Sequence, residues 1–273
     1  MRLHRPIGIC LLLWPTLWAL WLAAQGHPSL KQVVIFVLGV IVMRSAGCVI
    51  NDIADRHFDG LVTRTQHRPL ATQTIPLHHA FILFFLLCSC ALTLVLFLNL
   101  FTVLLSVVGL LLAIIYPFTK RFTYFPQIVL GTAFAWAVPL VFAATNNHIP
   151  PVAWLLYIAA VLWPMAYDTF YAMADREDDL SIGIRSTAIF FGPNVKIMVL
   201  LLYGIFFTSM WTIGLIYHLK SLYFYFLGAA FLFMLYQFWI IRTGTPAAYF
   251  RAFLNNNGLG LLIFLGILAS YYL

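Results

Sequence analysis

Apolar runs long enough to cross a bilayer recur along nearly the whole chain, interrupted by short stretches of Gly, Pro, Asn and basic residues. A membrane-spanning helix needs about 20 predominantly apolar residues. The runs predict about nine such helices, near residues 7–25, 30–54, 78–98, 101–118, 126–144, 151–174, 194–217, 221–241 and 256–273. Two connections are long and polar, 60–77 after the second run and 180–193 after the sixth, and the others are short. The expected fold is therefore an all-α, polytopic integral membrane bundle, one domain over 1–273 with no separate soluble part. Function has to be built from helix ends and the loops that join them.

Composition agrees: 63% of the 273 residues are hydrophobic and 8% are charged, against about a quarter charged in soluble domains, and the mean hydropathy is +0.97. A net charge of +7 would suggest nucleic acid in a soluble protein. Here the basic residues are spread over inter-helix loops, so the lipid bilayer is the expected partner and nucleic acid is not. Counting loops alternately, one side collects Arg2, Arg5, Arg56, Arg64, Arg68, Lys120, Arg121, Arg176, Arg185, Lys196, Arg242 and Arg251. The other collects Lys31 and Lys220, with Arg44 inside a span. Positive residues favour the cytoplasmic side, which places the N-terminus inside and, for an odd number of spans, the C-terminus outside. The first run is longer than a signal-peptide core and lacks a small-residue cleavage site, so it reads as a retained span. No Arg- and Ser-rich transit segment precedes it, which favours a bacterial inner membrane. Cys10, Cys48, Cys88 and Cys90 all fall in apolar runs and read as small buried hydrophobes.

The eight carboxylates are confined to two clusters, Asp52, Asp55 and Asp59, and Asp168, Asp175, Glu177, Asp178 and Asp179. Ionised acids are costly in so apolar a chain, so the two groups read as one divided cation site on the cytoplasmic side. Asn51, Asp55 and Asp59 follow i, i+4, i+8, a single stripe if the helix runs through them. Asp168, Tyr171, Asp175 and Asp179 follow i, i+3, i+7, i+11, a second stripe. Stacked like charges repel unless a cation lies among them, and oxygen ligands without His or Cys select Mg²⁺. Two such stripes facing each other would clamp a pyrophosphate. Asp52, Glu177 and Asp178 fall off the stripes and read as supporting or loop-ordering residues. The competing class is a cation-coupled transporter, but coupling residues belong near the bilayer midplane, and these acids lie at span ends beside arginines.

At this point the chain resembles the UbiA-type membrane prenyltransferases, nearest the branch that prenylates 4-hydroxybenzoate for ubiquinone. The resemblance rests on Arg44-Ser-Ala-Gly-Cys48 leading into the N-D-x-x-D-x-x-x-D of Asn51 to Asp59, Arg64-Thr-x-x-Arg68-Pro-Leu, and Tyr116-Pro-Phe-x-Lys120-Arg121. It continues in Asp168-Thr-x-Tyr171-Ala-Met-x-Asp175 with Asp179, in Gly183-Ile-Arg185-Ser-Thr187-Ala, and in the opening Arg5-Pro-Ile-Gly8. It covers residues 2 to about 192. Glu177 stands where Asp is expected, and Arg185 where Lys is common.

What the resemblance implies is a bundle around a central cavity, capped by the two Asp-rich cytoplasmic loops. The implied reaction is transfer of a polyprenyl chain from its pyrophosphate to the ring carbon ortho to the hydroxyl of 4-hydroxybenzoate. Other members take homogentisate, dihydroxynaphthoate or haem. Catalytic roles fall to Asp55, Asp59, Asp175 and Asp179, with Asn51 joining these four to hold Mg²⁺, two ions being expected with the pyrophosphate. Asp52, Asp168 and Asp178 would support them. Lys120 and Arg121 are the leading pyrophosphate contacts, with Arg64, Arg68, Arg185 and Tyr171. Arg44, two turns below Asn51 and deep in an apolar span, is expected to meet the acceptor's carboxylate, with Arg56 as the competitor. No obligatory protein partner is inferred. Trp14, Trp18 and Trp21 form a stripe that could line a tail tunnel, though packing explains it as well. His57, His67, His78 and His79 read as interfacial.

Overall fold

A computed structural model describes residues 6–61 and 65–273. Among these residues the chain is helical, with no strand. The helices are α1 (Ile7–Ala23), α2 (Leu30–Asp55), α3 (Leu77–Val95), α4 (Leu100–Thr119), α5 (Pro126–Ala135), α6 (Ala137–Asn146), α7 (Pro151–Ala174), α8 (Arg176–Ser181), α9 (Thr187–Phe191), α10 (Val195–Ile216), α11 (Ser221–Ile240) and α12 (Pro246–Tyr272). Among the described residues, eight stretches are long and apolar enough to cross a membrane, and α1 adds a shorter apolar helix of 17 residues. The protein is an integral membrane protein of about nine spans.

The helix ends follow local chemistry. Ser29, Asn99 and Thr245 each accept a hydrogen bond at their side-chain oxygen from a backbone N–H in the first turn of α2, α4 and α12. The fifth span is broken at Trp136 into α5 and α6, because Pro139 has no N–H to give the carbonyl of Ala135. The last helix starts at Pro246, ten residues before the expected 256. Asn255-Asn256-Asn257 looks like a loop in sequence, yet Asn256 is fully buried and its polar groups are satisfied.

α7 is the hub, packing against α5, α10 and α12. Trp163, Tyr167 and Phe170 on α7 are buried, together with Trp18, Tyr203 and Phe206. In lipid the packing of apolar helices gains little from leaving water, so close approach and internal hydrogen bonds hold the bundle. Gly131 supplies the first: a Cβ there would meet the carbonyl oxygen of Val161 at 2.4 Å. Asn256 supplies the second, accepting from the indole N–H of Trp163 at 3.0 Å and the hydroxyl of Tyr203 at 2.7 Å, and donating to Gln237 Oε1 at 3.0 Å. Trp14 donates to Asn257 Oδ1 at 2.8 Å and Trp18 to the Gly260 carbonyl at 3.2 Å, which joins α1 to α12. The tryptophan stripe is therefore packing, and none of the three lines the cavity described below. α3 and α4 fully bury only Ala80, Phe84, Thr102 and Pro117; much of their remaining surface faces the cavity or the outside of the bundle.

Candidate active site

One large cavity, about 1460 Å³, opens into the bundle. Its charged end is walled by Asn51, Asp52, Asp55 and Asp59 from α2 and the turn after it, and by Asp168, Tyr171, Asp175 and Asp179 from α7 and α8. Both acidic segments thus meet in one space. From there the wall becomes apolar and runs past Leu110 and Leu92 to Leu98 in the connection between α3 and α4. The hydroxyl of Tyr116 feels both clusters, lying within electrostatic range of Asp168, Asp55, Arg44 and Tyr171.

The helical stripes end sooner than expected. α2 stops at Asp55, and Asp59 sits on a 3₁₀ turn, Asp59–Leu61. α7 stops at Ala174, with Asp175 in its C-cap and Asp179 on α8. A helix carrying its acids further would stack like charges at its negative end. Turning the chain gives each carboxylate its own environment.

In the first cluster each acid has a cationic or amide partner. Asp55 is buried, and its Oδ2 accepts from Asn51 Nδ2 at 3.0 Å and Lys120 Nζ at 2.6 Å. Both oxygens of Asp59 accept from Arg68 Nη1 at 2.7 Å, and the same nitrogen lies 3.2 Å from Asp52 Oδ1. Burial pushes the Asp59 carboxyl above the usual carboxylate range, while the Arg68 charge and hydrogen bond pull it down. Thr65 Oγ1 donates to the Asp59 carbonyl at 2.9 Å and pins the turn.

Among the described residues, no three Asp, Glu, His or Cys side chains lie together closely enough to hold a metal ion as they stand. The donor set nevertheless fits a hard cation: Asp55 Oδ1 is buried, faces no hydrogen-bond donor, and belongs to a carboxylate on the cavity wall.

Of the basic residues, Arg44, Arg68, Lys120 and Arg185 line the cavity. Arg185 Nη1 donates to the Phe122 carbonyl at 2.9 Å, and its backbone N–H donates to the carbonyl of Lys120 at 3.2 Å, which ties the second polar segment to the end of α4. Arg121 does not join them. It donates to the Ala54 carbonyl and lies over the rings of Phe58 and Phe118, bracing the end of α2. Arg56 also turns away, donating to the Ile53 carbonyl at 3.0 Å. Asp178 and Glu177 lie off the cavity wall, and Arg64 lies outside the described residues. His67 and His79, expected only at the interface, do line the cavity.

Arg44 lies inside the bundle, donating to Cys48 Sγ at 3.2 Å, with its guanidinium 5.5 Å from the Phe134 ring centroid. It packs against Gly8 of α1, where a Cβ would fall 2.5 Å from Arg44 Nε. Gly8, Tyr116 and Tyr167 line the cavity although the sequence reading did not select them. The available signal was phase, since Tyr116 is one turn before Lys120 and Tyr167 one turn before Tyr171.

A membrane-embedded bundle whose cavity has a charged pole and a long apolar wall suits a molecule with a charged head and an apolar tail. The model of the UbiA prenyltransferase family matches residues 12–265, and the chain belongs to that family. A curated relative from Coxiella burnetii (strain Dugway 5J108-111), 4-hydroxybenzoate octaprenyltransferase, is 54% identical over 99% of this chain and 94% of its own length. A relative of the same name from Alkalilimnicola ehrlichii is 52% identical over 100% of this chain and 93% of its own length. Among solved structures, the apo form of a UbiA homolog from Aeropyrum pernix K1 has the same fold, with TM-score 0.85, 23% identity and 98% of each chain covered. A UbiA homolog from Archaeoglobus fulgidus bound to GPP and Mg²⁺ superposes with TM-score 0.75 at 19% identity, covering 100% of this chain and 99% of that one.

Proposed function

We propose that this protein transfers a polyprenyl group from polyprenyl pyrophosphate to the ring carbon ortho to the hydroxyl of 4-hydroxybenzoate. The products are 3-polyprenyl-4-hydroxybenzoate and pyrophosphate, a step of ubiquinone biosynthesis. The observation that carries this is the meeting of both acidic segments, three cations and a deep arginine in one cavity with a long apolar wall. The names of the curated relatives support the acceptor and the reaction. The family assignment removes the transporter reading.

Asn51, Asp55, Asp59, Asp175 and Asp179 would hold magnesium, two ions together with the pyrophosphate, with Asp52 and Asp168 supporting them. Magnesium bound there would supply charge neutralisation for the departing pyrophosphate as the allylic C–O bond ionises. Lys120, Arg68 and Arg185, with Arg64 in the same loop, supply further positive charge, and the Tyr171 hydroxyl reaches a phosphate oxygen. To do so, Lys120 and Arg68 exchange carboxylate partners for phosphate. The apolar wall holds the tail and keeps water from the allylic cation, leaving the electron-rich ring to capture it. Arg44 holds the acceptor's carboxylate and thereby aims the ring carbon beside the hydroxyl. After the C–C bond forms, the proton on that carbon leaves, and carboxylates of the cavity wall are the nearby bases.

The whole chain acts as one domain in a bacterial inner membrane, with N-terminus and site cytoplasmic and C-terminus periplasmic. The test is purified protein supplied with Mg²⁺, 4-hydroxybenzoate and a polyprenyl pyrophosphate. Mass spectrometry should show the acceptor plus one polyprenyl group minus hydrogen, together with released pyrophosphate. No prenylated product with this acceptor would refute the assignment.

A further inference from the structure

Among the buried hydrogen-bond donors that face no partner in this structure are Nε of Arg44 and the hydroxyl of Tyr167. Both residues line the cavity, one from α2 and the other from α7. The Tyr167 hydroxyl lies within electrostatic range of Asp168 and of Arg44. The residue is 1% exposed, its ring held edge-on against Trp163 and Phe253 at centroid distances of 5.2 and 5.8 Å. Leaving a buried hydroxyl without a partner is unfavourable, and the two ring contacts limit its freedom to look for one elsewhere. Phenylalanine would fill the same space. A tyrosine among so many phenylalanines needs a use for its oxygen.

We infer that the Tyr167 hydroxyl is a specificity-determining donor for the acceptor, binding one oxygen of its carboxylate while Arg44 binds the other. This rests on the acceptor assignment above. A carboxylate offers two acceptor oxygens, and Arg44 and Tyr167 each offer an unpartnered donor, one charged and one neutral. The phenolic end of the acceptor then points towards the acidic pole, where the allylic carbon is released. Selection against neutral phenols follows: without a carboxylate, the buried guanidinium and hydroxyl stay unpaired.

Tyr167→Phe tests this with little change in volume. The KM for 4-hydroxybenzoate should rise about tenfold or more, with the KM for polyprenyl pyrophosphate unchanged as evidence of an intact fold. Two inhibitors locate the contact. The inhibition constant of benzoate, which keeps only the carboxylate, should rise by the same factor, and that of methyl 4-hydroxybenzoate, which lacks the charge, should not move. An unchanged benzoate constant, or equal weakening of the ester, would overturn the inference while leaving the reaction intact. If the wild-type protein prenylates no 4-hydroxybenzoate, the acceptor assignment itself falls, and the inference with it.

Discussion

Replacing Lys120 with alanine should loosen the protein and tighten its grip on magnesium at the same time. The Lys120 ammonium sits 2.6 Å from Asp55 Oδ2, and that carboxylate is buried. Removing one partner of a buried ion pair costs about 3–5 kcal/mol. Asn51 still donates to the same oxygen and Lys120 is partly exposed, so the low end, about 3 kcal/mol, is expected. At roughly 2 °C per kcal/mol for a chain of this size, the metal-free melting temperature drops by about 6 °C. Magnesium at Asp55 no longer has to displace an ammonium. If half the lost pairing energy returns on binding, about 1.5 kcal/mol, the Kd for Mg²⁺ falls roughly tenfold. Inorganic pyrophosphate loses a charge-assisted contact and should bind ten- to a hundredfold more weakly in the presence of magnesium. Thermal unfolding and calorimetric titration of the detergent-purified protein read all three quantities. A variant that binds Mg²⁺ no more tightly than the wild type would refute the idea that Lys120 is the resident counter-ion of the metal site.

Arg68→Ala removes the charge and hydrogen bond that hold down the Asp59 carboxyl, whose burial already pushes it upward. The ionised form then requires a higher pH, so the acid limb of kcat/KM should move to higher pH; an unmoved limb would exclude Asp59 from the working site. Arg44→Ala should raise the KM for 4-hydroxybenzoate by tenfold or more, while Arg56→Ala, turned towards the Ile53 carbonyl, should leave it within twofold; the reverse order in steady-state kinetics would reverse the assignment. Gly8→Ala places a methyl on the Arg44 guanidinium, so acceptor KM should rise with polyprenyl pyrophosphate KM unchanged. Asn256→Leu leaves the Tyr203 hydroxyl and Trp163 indole N–H without their acceptor, and denaturation should report a loss of about 2–3 kcal/mol.

Charge was the most legible feature of this chain. Asp55, Asp59 and Lys120 could be read as site residues because an apolar bundle offers ions few other places to go, and the structure brings them to one cavity wall. Arg121 misled for the same reason: a cytoplasmic arginine looks alike whether it faces phosphate or braces a helix end, and only its contact with the Ala54 carbonyl separates the two. Helical phase was trustworthy within α2 and α7 and failed beyond Asp55 and Ala174, where the backbone turns and the i+4 rule no longer applies. The early start of α12 was hidden because three consecutive asparagines look like a loop unless their buried partners, hundreds of residues away in part, are known. Tyr167 was one aromatic among many, and nothing in its spacing announced an unpartnered hydroxyl.

The joint between α1 and α12 bears on how the molecule is assembled. Trp18 finds its acceptor at Gly260, Trp163 and Tyr203 find theirs at Asn256, and Gln237 Oε1 accepts from the Asn256 amide. All these groups enter the membrane before α12 has been synthesised, and hydrocarbon gives them no substitute partner. The nascent bundle thus carries several unmet hydrogen bonds until its final helix arrives, and α12 closes the ring onto the first helix made. Loss of the last thirty or so residues would strand those groups together, remove Phe250 and Phe253 from the cavity wall, and leave a protein marked for degradation.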